Sequence, residues 1–177
     1  MTSICVGCGL CCDGSMYRTV EVDGADRLET LETSGLLLST RDDVTAFRQP
    51  CTVLCAGRCN IYASRPAVCR DYRCLLLRRY EAGDVGYEDA LAVIAKATAL
   101  RDRVRPGLIE LLAPESTQAL EGLYRLATIK FDAYDEPAAA RAEHAELLLD
   151  VAALRVILAR EFEPRDSKSH QPEPASP

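Results

Sequence analysis

Cys5-Val6-Gly7-Cys8-Gly9-Leu10-Cys11-Cys12 places four thiols within a single short run, and no other stretch of the chain constrains the fold as tightly. Two-residue gaps let a tight loop turn successive sulfurs toward one ion while backbone N–H groups point at them. Gly7 and Gly9 suit such a loop because glycine accepts positive φ without strain. The adjacency of Cys11 and Cys12 is equally informative. Neighbouring side chains in an extended segment point to opposite sides, so one tetrahedral ion seldom takes both. Either Cys5, Cys8 and Cys11 share one site while Cys12 reaches another, or one polynuclear cluster uses the whole set. Sequence leaves both arrangements open.

A second block follows, Cys51-Thr-Val-Leu-Cys55-Ala-Gly-Arg-Cys59-Asn-Ile-Tyr62, and then Arg65-Pro66-Ala-Val-Cys69-Arg70-Asp-Tyr72-Arg-Cys74. The chain has 9 cysteines, all between Cys5 and Cys74, enough for two four-thiolate sites with one thiol over. Cys51, Cys55 and Cys59 superficially resemble the three-cysteine run of radical S-adenosylmethionine enzymes. Their second gap is one residue too long, and the chain lacks the length and βα repeats of such a barrel, which excludes that match. Disulfides are the weaker reading, because an odd count leaves one thiol unpaired and the chain exceeds the usual secreted scaffold. The N-terminus shows no basic segment followed by an apolar one, and no apolar run approaches the roughly 20 residues that cross a bilayer. The expectation is a cytoplasmic protein with reduced thiols and no membrane. His144 and His170 are the only histidines, one in an Ala-rich helical stretch and one in a Pro-rich tail. Imidazole-based zinc, facial-triad iron and Ser-His-Asp chemistry are thereby disfavoured.

At 177 residues, 48% hydrophobic and 27% charged, the chain has the composition of one soluble globular domain. From Asp84 onward cysteine gives way to helical periodicity. Val93, Ala97, Leu100, Val104, Leu108 and Leu111 form one stripe, with Pro106 expected to kink or split it. Leu120, Leu123, Tyr124, Ala127, Phe131 and Tyr134 form a second, and Leu147, Val151, Leu154, Leu158 and Phe162 a third. Pro114 and Pro137 fit the first turns of the second and third helices. Tyr17 to Val22 reads as a short strand and Ala25 to Glu32 as a short helix. The expected fold is mainly α, an irregular, metal-clasped, cysteine-rich N-terminal half packed on a bundle of about three helices. Residues 1–163 form a single domain in this reading, with a metal-binding part at 1–82 and a helical part at 83–163. The segment 164–177, rich in Pro and charge, is expected to be disordered.

The combined motif resembles a known family, the CxxCxxCC zinc- or iron-chelating domain proteins, also called cysteine cluster proteins. The residues that carry it are Cys5, Cys8, Gly9, Cys11 and Cys12, then Cys51 and Cys59-x-Ile61-Tyr62, then Arg65-Pro66-x2-Cys69-Arg70-x-Tyr72. The match covers about the first 75 residues. The resemblance implies zinc or an iron–sulfur centre, with Fe–S oxidoreductases among the members. Flagellin lysine N-methylases, which use S-adenosylmethionine, are one branch. Cys55 lies outside the family pattern and becomes the candidate unpaired thiol. The metal ligands expected are therefore Cys5, Cys8, Cys11, Cys12, Cys51, Cys59, Cys69 and Cys74.

The chain is net −6, yet residues 51–80 hold Arg58, Arg65, Arg70, Arg73, Arg78 and Arg79 against Asp71 alone. A tetrathiolate centre carries about −2 of charge, which arginines beside it would neutralise while donating hydrogen bonds to sulfur. Arg65 and Arg70 are the candidates for that role. An anion-binding pocket is the rival reading, and Arg78-Arg79 fit a solvated face. Tyr17, Tyr62 and Tyr72 are expected to shield the metal. Acidic net charge and the absence of finger spacing argue against nucleic acid. Two functions remain: an iron–sulfur oxidoreductase or protein-modifying enzyme, and a non-catalytic zinc module that meets a protein partner. Ferredoxin-like spacing, an adjacent fourth thiol and no histidine favour iron–sulfur, although zinc fits all-thiolate sites equally well.

Overall fold

A computed structural model describes residues 3–24, 26–113 and 118–164. About half of the chain is helical, in seven helices among the described residues, so the fold is mainly α as expected. The elements run β1 (Thr19–Glu21), α1 (Leu28–Thr33), β2 (Leu38–Arg41), β3 (Val44–Arg48), β4 (Leu54–Cys55), β5 (Arg58–Cys59), α2 (Ala67–Asp71), α3 (Leu75–Glu81), α4 (Tyr87–Leu112), α5 (Leu120–Asp132), α6 (Pro137–Glu143) and α7 (Ala145–Glu161). The segment expected to be disordered lies, beyond Pro164, outside the described residues, as does Pro114.

Helix α4 organises the second half. Its buried residues Ala90, Ile94, Ala97, Leu100, Val104 and Leu108 step by three or four and face α5 and α7, which flank it. Glu88 and Asp89 in the first turn complement the helix dipole, and Ala113 ends the helix in the left-handed region. Pro106 does not split the helix, which continues for 26 residues. Packing on both flanks offsets the missing N–H, and the neighbouring glycine lets α7 approach closely. A Cβ on Gly107 would stand 2.8 Å from the Leu147 side chain. The expected third helix is instead two. Pro137 opens α6, the chain turns at His144 (φ −103°, ψ 23°), and α7 carries Leu154, Leu158 and the following Phe162 into the core. Side chains from the first half join the same core, namely Ile4, Leu10, Leu76 and Leu77.

A smaller core lies under an antiparallel sheet of order β1-β3-β2, built on Leu31, Leu36, Phe47 and Val53. Val20 and Leu38 both pair with Phe47, which fixes the register from either side. Asp42 and Asp43, with φ of 49° and 64°, make the tight turn between β2 and β3. The expected strand shortens to β1 and the expected helix shifts to α1, while β2 to β5 were not foreseen. No helix among the described residues is long and apolar enough to cross a membrane.

Candidate metal centre

The first cysteine loop is shaped by its glycines. Gly7 and Gly9 have φ of 94° and 69°, and the Cys12 and Asp13 N–H groups donate back to the Gly9 carbonyl at 2.8 and 2.9 Å. The second block presents a two-residue hairpin, β4 to β5, turned by Ala56 and Gly57 with φ of 47° and 75°. The two turns meet back to back. A Cβ on Gly9 would lie 3.3 Å from the Gly57 carbonyl oxygen, and one on Gly57 would lie 3.2 Å from that of Gly7. Nearby, the Cys51 N–H donates to the Cys12 carbonyl at 2.8 Å. The two cysteine blocks are therefore in backbone contact, and side chains would obstruct that contact.

Eight of the nine thiols sort into two sets by position and by the charges each one feels. Cys5, Cys8 and Cys74 pack against the helical core, whereas Cys51, Cys59 and Cys69 pack against the sheet core. Burial pushes the Cys8 thiol up to about 12 against a hydrogen bond from Leu10, and neighbouring Cys74 and Cys5 add to the push. Burial likewise raises Cys74, with Cys5 contributing. In the other set burial raises Cys51 to about 11 and Cys69 to about 12, with Cys12 and Cys59 acting on both. Cys59 is raised by burial and by Cys12.

Cys11 and Cys12 form the seam between the sets. Their sulfurs are 3.6 Å apart, and Cys11 shares its proton with Cys12, which raises Cys11 and lowers Cys12. Cys11 also feels Cys8 and Cys5, while Cys12 acts on Cys51, Cys59 and Cys69. The run is a turn and not the extended segment expected, so the vicinal sulfurs stand side by side. It is the charges around them that link Cys11 to the first set and Cys12 to the second. Cys55 is exposed at the hairpin. Among the described residues, no group of three Cys, His, Asp or Glu side chains already stands close enough to hold one ion. Neutral thiols have no attraction to draw them together; an ion supplies it as the thiols release their protons.

The chemistry of this donor set fits zinc or iron, since buried, closely spaced thiols become thiolates only when a cation compensates them. The surroundings complete the site. Tyr17 donates to the Tyr72 hydroxyl at 2.8 Å, with the rings edge to face at 5.5 Å, and both tyrosines interact with Cys11 and Cys74. The Arg65 guanidinium stacks on the Tyr62 ring at 3.9 Å from its centroid and acts on Cys5, Cys12, Cys59 and Cys69. Arg70 is exposed and donates to the Arg65 carbonyl at 2.6 Å. The Leu77 N–H donates to the Cys74 sulfur at 3.4 Å, so that thiol caps α3.

Sequence reading missed the strap that ties the loop to the bundle. Asp13, which is buried, receives Arg101 at 2.6 Å on its carboxylate, while Arg105 donates to its carbonyl at 2.6 Å and to that of Gln118 at 3.0 Å. An Asp directly after a cysteine run and two arginines one helical turn apart were the only signal available.

No curated protein and no solved structure matches the chain. A family model does match, and it ends at residue 89, in the first turn of α4, so it covers both cysteine blocks and hardly any of the helical bundle. Its description names zinc and iron, the two metals this donor set suits. Residues 4–89, just under half of the chain, match the model of the CxxCxxCC family, described as a "putative zinc- or iron-chelating domain".

Proposed function

We propose that this protein holds two metal centres, each in four cysteine thiolates. Cys5, Cys8, Cys11 and Cys74 serve the first, and Cys12, Cys51, Cys59 and Cys69 serve the second, with Cys55 outside both. One observation carries the reading: the thiols divide on either side of the Cys11–Cys12 seam, each set against its own apolar core. The first set, three cysteines at two-residue spacing plus a remote fourth, follows the ligand pattern of ferredoxin-type clusters, and iron–sulfur is the metal we assign to it. Such a cluster supplies one-electron transfer. The protein's own groups then have definite parts: the Leu77 N–H hydrogen-bonds a ligand sulfur, and the Tyr17–Tyr72 pair covers the first set.

With four thiolates each, both centres are coordinatively full, so an electron carrier or oxidoreductase subunit fits better than a transferase. Residues 1–163 act as one domain in this reading, in a reducing cytoplasm that keeps the thiols free. A second reading, a structural zinc module docking a protein partner, draws support from Leu149 and Val156, which are 70% and 55% exposed on α7. Metal analysis after anaerobic purification decides between them. Brown protein with iron and acid-labile sulfide is the expected result. Colourless protein with two equivalents of zinc and no sulfide, even after reconstitution with iron and sulfide, selects the structural module. Protein that takes up neither metal in stoichiometric amount removes both readings.

A further inference from the structure

The arginines of the second block are not equivalent. Arg70, Arg73 and Arg78 are each committed to backbone: Arg70 to the Arg65 carbonyl, Arg73 to the Arg70 and Tyr72 carbonyls, and Arg78 to the Arg73 carbonyl. Arg65 differs. Its Nε is buried and has no hydrogen-bond partner among the described residues. A buried N–H without an acceptor costs free energy, so such a donor marks a place where something else is to be bound. Its position is also fixed on both sides. The Tyr62 ring lies 3.9 Å below the guanidinium, Arg70 holds the carbonyl, and the next residue, Pro66, is fully buried.

We infer that Arg65 is a positioning residue of the second centre, donating its Nε–H to a ligand sulfur and supplying the counter-charge, with Tyr62 holding the guanidinium plane. The inference rests on the two-centre reading above. Its place in the chain supports it: Tyr62, on which Arg65 stacks, follows Cys59 by three residues, and Pro66, next to Arg65, precedes α2, which carries Cys69. Both cysteines belong to the second set. A guanidinium suits the task better than an ammonium, because it stacks flat on an aromatic ring and presents a donor in a fixed plane. The loaded centre gathers about two negative charges, and a cation held beside it stabilises that state over the empty one.

The test compares wild type with Arg65→Lys and Arg65→Gln, all purified anaerobically and challenged with graded chelator while retained metal is counted. Arg65→Gln is expected to lose metal from one centre about tenfold to hundredfold more readily, with Arg65→Lys between it and wild type. Weaker retention alone could reflect a damaged fold. Each protein is therefore also stripped and reloaded with Co2+ alone, and the thiolate-to-cobalt charge-transfer band is recorded. Loss of a hydrogen bond to sulfur shifts that band in both variants, whereas a purely structural arginine leaves it in place. Arg65→Lys with wild-type retention and a wild-type band overturns the inference, and it does so even where Arg65→Gln fails to fold. Wild type that binds one Co2+ instead of two sinks the two-centre reading, and the band of that single centre then still decides for or against Arg65.

Discussion

The two halves of this molecule are held together by different forces. In the second, α4, α5 and α7 bury periodic apolar stripes, and the backbone hydrogen bonds follow from the helices themselves. In the first, the sheet core rests on four residues, the strands are two to five residues long, and the cysteine loops are backed by glycines and capped by arginines. Hydrophobic burial near 25 cal/mol per Å² is enough for a bundle of this size. The first half, however, has a core of its own of only four buried side chains, besides Ile4, Leu10, Leu76 and Leu77, which it lends to the helical core. The difference assigns the missing stability of the first half to whatever its thiols bind.

Removing ligands should therefore separate the halves most sharply. Structural zinc sites contribute on the order of 10–16 kcal/mol of apparent binding energy to folding. Cys8→Ser and Cys69→Ser are each expected to cost one centre, while Cys55→Ser keeps full metal content. Far-UV circular dichroism should show α4 to α7 surviving in all three. Full metal in Cys69→Ser, or metal lost from Cys55→Ser, breaks the assignment of ligands.

Without metal, the first half should carry an alkaline weakness that the second lacks. Burial holds the thiols of Cys8, Cys51 and Cys69 at about 12, 11 and 12, up from 9.0 in the unfolded chain. Above pH 9 the unfolded state loses these protons while the folded state keeps them. Folding stability then falls as pH rises from 9 toward 12, by up to about 1.4 kcal/mol per unit for each thiol. Denaturant titrations of metal-free protein should show that slope, and it should be shallower in Cys8→Ser. Equal slopes in the two proteins would mean that the Cys8 thiol is not buried as described.

Legibility from sequence divides along the same line. The stripes of α4, α5 and α7 could be read because one period repeats for three or more turns. The break at His144 could not, since nothing in Arg141-Ala-Glu-His144-Ala stops a helix locally. Strands β2 to β5 escaped because they are short and exist through pairing, Leu38 with Phe47 and Leu54 with Cys59, rather than through alternation. At the site, spacing picks out the cysteines as candidate ligands, while the adjacency of Cys11 and Cys12 by itself leaves one site or two open. The membership of each set was not legible, because Cys74 joins Cys5 and Cys8 only once the chain has folded. The Asp13–Arg101 strap joins residues 88 apart, a separation across which no local pattern carries information.

A core deletion gives the reverse of the cysteine variants. Leu154 of α7 is fully buried against the helical core. Leu154→Ala should cost about 2–5 kcal/mol in chemical denaturation while both centres keep their metal. Metal lost together with helical stability would show that the halves do not divide the work as proposed.

The smallest effect tests the joint between the cysteine blocks. Gly57 sits at φ 75° with the Gly7 carbonyl oxygen 3.2 Å from where a Cβ would be. Its neighbour Ala56 already tolerates φ 47°, so the left-handed conformation alone is bearable. What Gly57→Ala adds is the same conformational cost plus a contact that pushes on the first cysteine loop. The expected loss is about 1–2 kcal/mol. Hydrogen exchange distinguishes how that loss spreads. If the back-to-back glycines make one unit of the two blocks, protection falls together in residues 5–12 and 51–59 and is unchanged in α4 and α7. If only residues 51–59 loosen, the blocks are held apart from one another by their separate cores. The two centres would then be independent folding units that share only the Cys11–Cys12 seam.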